Sequence, residues 1–163
     1  MTRATAGLAL ACMALAMAVA APASAQSDEQ TSARLEALFG AHEPYEAFLA
    51  TLKDAVSAGD RRSVAAMIAY PLATTIAGKP VTLASKEDVV RRYDQVFTPA
   101  IVAAVEGQAY ATLFATAEGV MVGDGEIWFG GICGDEACSE VSVNIVAINQ
   151  PEKPPGRQKG TDR

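Results

Sequence analysis

Residues 99–116 read PAIVAAVEGQAYATLFAT, and the apolar pattern changes within them. Up to Gly107 the apolar residues recur with the 3.6-residue period of an amphipathic helix. After Gln108 the period falls to two, which predicts a strand over Tyr110–Thr116. This stretch therefore divides the chain into a mainly helical first part and a strand-rich second part.

The first part carries a clear helical stripe, in which apolar residues recur at intervals of three and four. Its members are Tyr45, Phe48, Leu49, Leu52 and Val56. Gly59 is predicted to end this helix and Asp60 to cap the next one. A hairpin with a two-residue turn at Gly78-Lys79 follows, and Ser85–Asp88 then resembles the capping box of a further helix.

The second part is predicted to form a meander of short strands separated by glycine-containing turns. After Tyr110–Thr116 the strands are Val120–Val122, Glu126–Ile132 and Val141–Ile148. Helices that precede such a meander pack on one face of it. The predicted fold class is α+β, with N-terminal helices on a curved antiparallel sheet.

Residues 1–25 have the pattern of a secretory signal peptide. Arg3 supplies the positive start, Leu8–Ala21 is apolar, and Ala23-Ser24-Ala25 is an A-x-A cleavage site. The apolar run of about 14 residues is short for a membrane anchor, which needs roughly 20. Cys12 lies in the middle of the run, whereas lipoprotein processing needs a cysteine at the cleavage point. We expect cleavage after Ala25, no stable membrane insertion, and a periplasmic or secreted protein.

The predicted mature chain divides into three parts. Residues 26–42 are expected to be a flexible or short-helical lead-in, and residues 43–149 to be one α+β domain. Residues 150–163 are rich in Pro, Lys, Gly and Arg, which predicts a disordered C-terminal tail.

The charge balance argues against nucleic acids and anionic membranes as partners. The chain has 13 Lys and Arg against 19 Asp and Glu, a formal net charge of −6. Nucleic-acid binding needs clustered cations that neutralise phosphates. The short pairs Arg61-Arg62 and Arg91-Arg92 do not make such a surface by themselves.

Cys133 and Cys138 would be the two cysteines of the mature chain. A pair in a secreted protein favours a disulfide, here closing a six-residue loop. The C-x4-C spacing differs from that of thioredoxin-like redox sites, and a metal site would need more ligands than the single histidine, His42. We expect a structural disulfide, no metal and no cofactor.

Several local phrases resemble the NTF2-like superfamily, in which helices pack into the mouth of a cone-shaped sheet. They are Ala58-Gly59-Asp60, Arg92-Tyr93-Asp94 and Gly125-Glu126-Ile127-Trp128-Phe129. The phrases are most similar to small secreted or periplasmic bacterial members without assigned activity. The resemblance implies a cavity, and family members include isomerases, dehydratases, hydrolases and proteins that only bind. Members often form dimers through the open sheet face, so a homodimer is possible here.

Six residues are candidates for the site in such a cavity: Tyr70, Tyr93, Asp94, Tyr110, Glu126 and Trp128. Asp94 and Tyr70 are the candidate catalytic pair, since a dry pocket raises a carboxyl pKa into the range for proton transfer. The alternative is that Asp94 is solvated or pairs with Arg91, and that the tyrosines only pack. Glu126 shares a face with Trp128, so it is exposed if Ile127 and Phe129 form the core.

No sequence signature of catalysis is present. The chain lacks the G-x-S-x-G nucleophile elbow and both glycine-rich phosphate-loop patterns. We therefore expect a non-catalytic protein that binds a small ligand or an envelope protein. The alternatives are a cofactor-free isomerase or hydrolase using Asp94 and Tyr70, and a structural or stress-related envelope protein.

Overall fold

The computed structural model describes residues 26–150, so the predicted signal peptide and all but the first residue of the predicted tail lie outside the described residues. Six helices and six strands alternate in blocks along this range. The elements are α1 (Asp28–Phe39), α2 (Glu43–Ser57), α3 (Arg61–Ala66), β1 (Leu72–Ile76), β2 (Lys79–Leu83), α4 (Lys86–Arg91), α5 (Tyr93–Val96), α6 (Pro99–Gly107), β3 (Phe114–Thr116), β4 (Gly119–Val122), β5 (Ile127–Cys133) and β6 (Val141–Ile148).

The segment predicted as a flexible or short-helical lead-in forms the three-turn helix α1. Ser27 and Gln30 make a capping box at its start, and Gly40 ends it at a φ of 83°. Leu35 on this helix is fully buried. The Thr31 hydroxyl donates to the Ala111 carbonyl at 2.9 Å, which ties α1 to the second half of the chain.

The helical stripe predicted for α2 is confirmed. All five of its apolar residues are buried, and the helix packs against the sheet through a stack of Phe48 on Phe129 with ring centroids 4.9 Å apart. Asp60 caps α3 as predicted, since its carboxylate accepts from the backbone amides of Arg62 and Ser63. These contacts fix α3 directly after the end of α2.

The strands form one sheet in the order β2-β1-β6-β5-β4-β3. The α+β class is confirmed, but the prediction of an antiparallel sheet is wrong in one pairing. β1 and β6 run parallel, with Thr74 opposite Ile148, which makes the sheet mixed. The reason is the long connection between the hairpin and the meander, which consists of α4, α5 and α6. The meander then returns so that its last strand, β6, lies beside β1 in the same direction.

The start of the first meander strand also differs from the sequence prediction. Tyr110–Thr112 forms a 3-10 turn, and only Phe114–Thr116 is strand. The Gln108 side chain donates to Ala109 O and Thr112 Oγ1, which holds the turn.

The turn of the first hairpin lies at Ala77-Gly78, one residue earlier than predicted. Both of these residues have a positive φ, of 52° and 76°. Positive φ at both central positions is the requirement of a tight type I′ hairpin turn.

The two faces of β5 have different surroundings. Ile127 and Phe129 are fully buried under the helices, whereas Trp128 between them is half-buried on the opposite face. On that outer face four apolar residues lie side by side across neighbouring strands. The row runs Phe114, Met121, Trp128, Ala147.

The two edges of the sheet are β2 and β3. Edge strand β2 carries Lys79 and Pro80, and Pro80 has no backbone N–H to offer. Edge strand β3 is three residues long, and α1 contacts it. Within residues 26–150, no helix has both the length and the apolar character needed to cross a membrane.

Candidate functional site

The structure does not gather the six predicted site residues around one point. Asp94 and Tyr93 share Arg61 as a neighbour, and Tyr70 lies near the carboxylates of α4. Tyr110 contacts Ser32 on α1, and Glu126 and Trp128 line a groove beside the β4–β5 turn.

Asp94 lies on the surface with its side chain 76% exposed. Its carboxylate accepts from the Arg61 guanidinium at 2.8 Å, while Arg91 pairs with Asp88 instead. Asp94 is therefore solvated and paired, as the alternative hypothesis predicts, but its partner is Arg61 and not Arg91. An exposed ion pair of this kind lacks the dry surroundings that the enzyme hypothesis requires.

Tyr70 is half-buried where the chain leaves α3. Its hydroxyl donates to the Ala65 carbonyl at 2.8 Å. Burial, together with the negative charges of Glu87 and Asp88, raises the pKa of Tyr70 to about 12. The Tyr70 hydroxyl is therefore hydrogen-bonded to the backbone and stays protonated. This agrees with the alternative hypothesis that the tyrosine only packs.

Tyr93 is buried on α5, stacked on Phe97 with ring centroids 4.8 Å apart. The Arg61 guanidinium lies over its ring at 5.2 Å. Burial raises the pKa of Tyr93, and its hydroxyl has no hydrogen-bond partner among residues 26–150. The Tyr110 hydroxyl lies 3.0 Å from the Ser32 hydroxyl, and partial burial raises its pKa as well.

Glu126 lies in the turn before β5 and not in the strand, which corrects the sequence prediction. Its carboxylate accepts from the Asp124 amide at 2.6 Å and so closes the turn. Because Ile127 and Phe129 form the core, Glu126 and Trp128 lie on the outer side. This is the alternative in which Glu126 does not face the interior.

A first groove, here called the cationic groove, lies between α3 and α4 and has a volume of about 570 Å³. Its floor is apolar and its rim carries three cations and one carboxylate. The lining residues are Arg62, Ala66, Lys86, Glu87, Val90 and Arg91.

The cations of this groove differ in their pairing. Arg91 is paired with Asp88, whereas Arg62 and Lys86 have no carboxylate within 4.0 Å in the described range. Sequence reasoning missed the groove because Arg62 and Lys86 belong to helices separated by the β1–β2 hairpin. The only signal in the sequence is that α3 and α4 each have basic residues close to small apolar residues.

A second groove, the indole groove, lies on the outer face beside the β4–β5 turn and has a volume of about 510 Å³. Its rim is acidic, and its remaining lining is apolar or amide. The lining residues are Met121, Asp124, Gly125, Glu126, Trp128, Asn149 and Gln150. The predicted neighbours Glu126 and Trp128 therefore do meet at one surface, with Asp124 added.

The predicted disulfide pairing is confirmed, since Cys133 and Cys138 are joined with their Cα atoms 4.6 Å apart. Asp135 within the loop accepts from the Ser139 hydroxyl and, at 2.8 Å, from the Ser139 amide, and these bonds lower the pKa of Asp135. Among the residues that the structure describes, no three His, Cys, Asp or Glu side chains are grouped to hold a metal ion.

Comparison with models of known protein families, with curated proteins and with solved structures finds no match. What the protein does must therefore be argued from its two grooves and from the sequence patterns.

Proposed function

We propose that this chain is a secreted or periplasmic NTF2-like protein without catalytic activity, and that it binds a small amphiphilic anion in the cationic groove. The ligand class is a carboxylate, or a similar monoanion, attached to an apolar chain or ring. The family resemblance implies an interior cavity, whereas the site proposed here is this surface groove.

The observation that carries the proposal is the composition of the groove. Its volume of about 570 Å³ falls within the roughly 300–1,000 Å³ of small-molecule sites. The apolar floor of Ala66 and Val90 suits a hydrocarbon. Arg62 and Lys86, which are unpaired among residues 26–150, suit a carboxylate, because charge-assisted hydrogen bonds are the strong ones.

Three features support the NTF2-like assignment. Helices precede the meander, α2 packs on the buried face of β5, and the first hairpin joins the sheet beside its last strand. The location outside the cytoplasm is supported by the signal-peptide pattern of residues 1–25. The disulfide also supports it, because such bonds persist in oxidising compartments.

The absence of catalysis is proposed from the state of the two candidate catalytic groups. Asp94 is exposed and paired with Arg61, and the Tyr70 hydroxyl donates to a backbone carbonyl. General acid–base catalysis needs a group within hydrogen-bond reach of the substrate and with a pKa near the working pH. The pKa of Tyr70, about 12, is far above that range.

The first experiment is native mass spectrometry of the mature protein, residues 26–163, purified from its own envelope fraction. A retained small mass that is lost on denaturation would support a ligand-binding protein. The ligand class is then tested by titration with decanoate and with decyltrimethylammonium, which have equal chains and opposite charges. We expect decanoate to bind and the cation not to bind.

Matched variants locate the binding. Arg62→Gln and Lys86→Gln should each weaken decanoate, while Lys79→Gln, an exposed cation on the edge strand, should not. A bare purified chain that binds neither probe would contradict the proposal. It would favour a protein partner or a structural role in the envelope instead.

A further inference from the structure

The chain leaves the described fold at the wall of the indole groove. The Asn149 amide donates to Glu126 O and its side chain donates to Gly125 O, both at 2.8 Å. The Gln150 side chain donates to Gln95 O and Val96 O at 3.0 and 2.9 Å. These four bonds hold residues 149 and 150 in place, and both residues line the groove.

The groove at that point combines an aromatic surface with negative charge. Trp128 and Met121 supply the apolar lining, and Asp124 and Glu126 supply two carboxylates. None of its lining residues is a Lys or an Arg. Such a surface suits an occupant that is cationic and has apolar groups able to lie flat on an indole.

Residues 151–163 of the same chain have that chemistry. They read PEKPPGRQKGTDR, with three prolines, four basic residues and two acidic ones. Proline-rich segments adopt the extended polyproline conformation without internal hydrogen bonds, and such segments dock in aromatic-lined grooves. Positive groups facing negative ones favour the encounter and set its orientation.

The distances also suit an intrachain contact. A chain of five residues reaches at most about 17 Å when fully extended, so residues 151–155 are long enough to cross a groove next to Gln150. The first five residues of the segment therefore span it without a long connecting loop.

We propose that residues 151–163 dock in the indole groove of the chain that carries them. Prolines of the segment lie against Trp128, and its first basic residues face Asp124 and Glu126. The proposal is independent of the ligand proposed for the cationic groove, because the two grooves share no lining residue.

The test uses Trp128, which is the only tryptophan of the chain and therefore reports on this groove alone. A chain ending at Gln150 is compared with the mature chain by tryptophan emission and acrylamide quenching. We expect the shorter chain to emit at longer wavelength and to be quenched more strongly. Raising the salt concentration should move the mature chain toward the same values, because screening weakens the charge pairing.

Addition of the free peptide 151–163 to the shortened chain should restore the original emission. A tethered segment acts at about millimolar effective concentration, so the free peptide is needed at about that level. A matched peptide with Lys153, Arg157 and Lys159 replaced by Gln should not restore it. The variant Asp124→Asn should weaken restoration by the natural peptide.

Two results would overturn the proposal. Identical emission and quenching in the long and short chains would mean that the segment does not occupy the groove. A difference that grows with protein concentration would assign the occupant to a second copy of the chain, as in a homodimer.

Discussion

The cationic groove and the indole groove are nearly equal in volume, about 570 and 510 Å³, and opposite in charge. The first is lined by two helices, with Arg62, Lys86 and Arg91 at its rim. The second is lined by a strand turn, with Asp124 and Glu126 at its rim. On a chain whose net charge is −6, the total therefore says little about which ligand each groove accepts. The local arrangement of charges decides that.

The largest expected effect comes from truncating a core side chain on the buried face of β5. Phe129→Ala removes a fully buried ring and should lower the free energy of unfolding by about 3–5 kcal/mol. Trp128→Ala, one residue away but half-buried on the outer face, should cost clearly less. Urea unfolding followed by far-UV circular dichroism compares the two without relying on tryptophan. Equal losses would show that the outer face is part of the core.

The second prediction makes the two grooves alike. The double variant Arg62→Glu, Lys86→Glu gives the cationic groove an acidic rim. Since a hydrogen bond to a charged group contributes about 1.5–3 kcal/mol, decanoate affinity should fall by about tenfold or more for each residue. Isothermal titration checks this, and each of the two single variants is compared with Lys79→Glu, which makes the same change of −2 in net charge. An equal loss in the control would point to long-range charge and not to the groove.

The third prediction removes the disulfide, whose cysteines line neither groove. Replacing Cys133 and Cys138 by Ser opens a six-residue loop and should cost about 2 kcal/mol. Decanoate binding and Trp128 emission should both stay unchanged. Thermal unfolding with and without reductant measures the loss, and altered binding would show that the loop influences a groove.

A pH titration tests the burial of Tyr70 beside the carboxylates of α4. The pKa of Tyr70 is raised to about 12, so above pH 10 the unfolded chain loses a proton that the folded chain keeps. The stability linked to Tyr70 is fully present below pH 10 and is lost as the pH rises toward 12. Melting temperatures across that range should therefore fall less steeply in Tyr70→Phe. Parallel curves would contradict the pKa assignment.

The smallest effects are expected from two tyrosine hydroxyls. Tyr70→Phe at neutral pH removes a hydrogen bond to Ala65 O and should cost about 1 kcal/mol. Tyr93→Phe should cost nothing or stabilise slightly, because the buried hydroxyl has no partner in the described part of the chain. Denaturant midpoints separate the two, and a clear loss in Tyr93→Phe would reveal a bound water.

The contrast between the grooves also shows how far the sequence could lead. The stripe of α2, the Asp60 cap, the α+β class and the disulfide are local patterns, and each was predicted. The alternation of Tyr110–Thr112 predicts a strand, but hydrogen bonds from the Gln108 side chain hold these residues in a 3-10 turn. The parallel pairing of β1 with β6 depends on a long connection that no local period encodes.

The sites were harder to predict than the fold for a physical reason. The cationic groove exists only where α3 meets α4, so no single segment carries its pattern. The indole groove could be predicted only in part. Alternation places Glu126 on the same face as Trp128, but Asn149 joins them only because β6 returns beside β5. Asp94 is a candidate only because the phrase Arg92-Tyr93-Asp94 resembles the NTF2-like superfamily. Its exposure depends on tertiary packing, which this phrase does not encode.

The closed edges of the sheet determine how other molecules meet this protein. Pro80 removes a donor from the edge of β2, and β3 offers three residues beside α1. An incoming peptide therefore finds little backbone to extend as an added strand, so recognition has to use side chains on a face. The same features oppose edge-to-edge pairing of the sheet with that of another copy. At high protein concentration, this lowers the tendency of the sheet to aggregate through its edges.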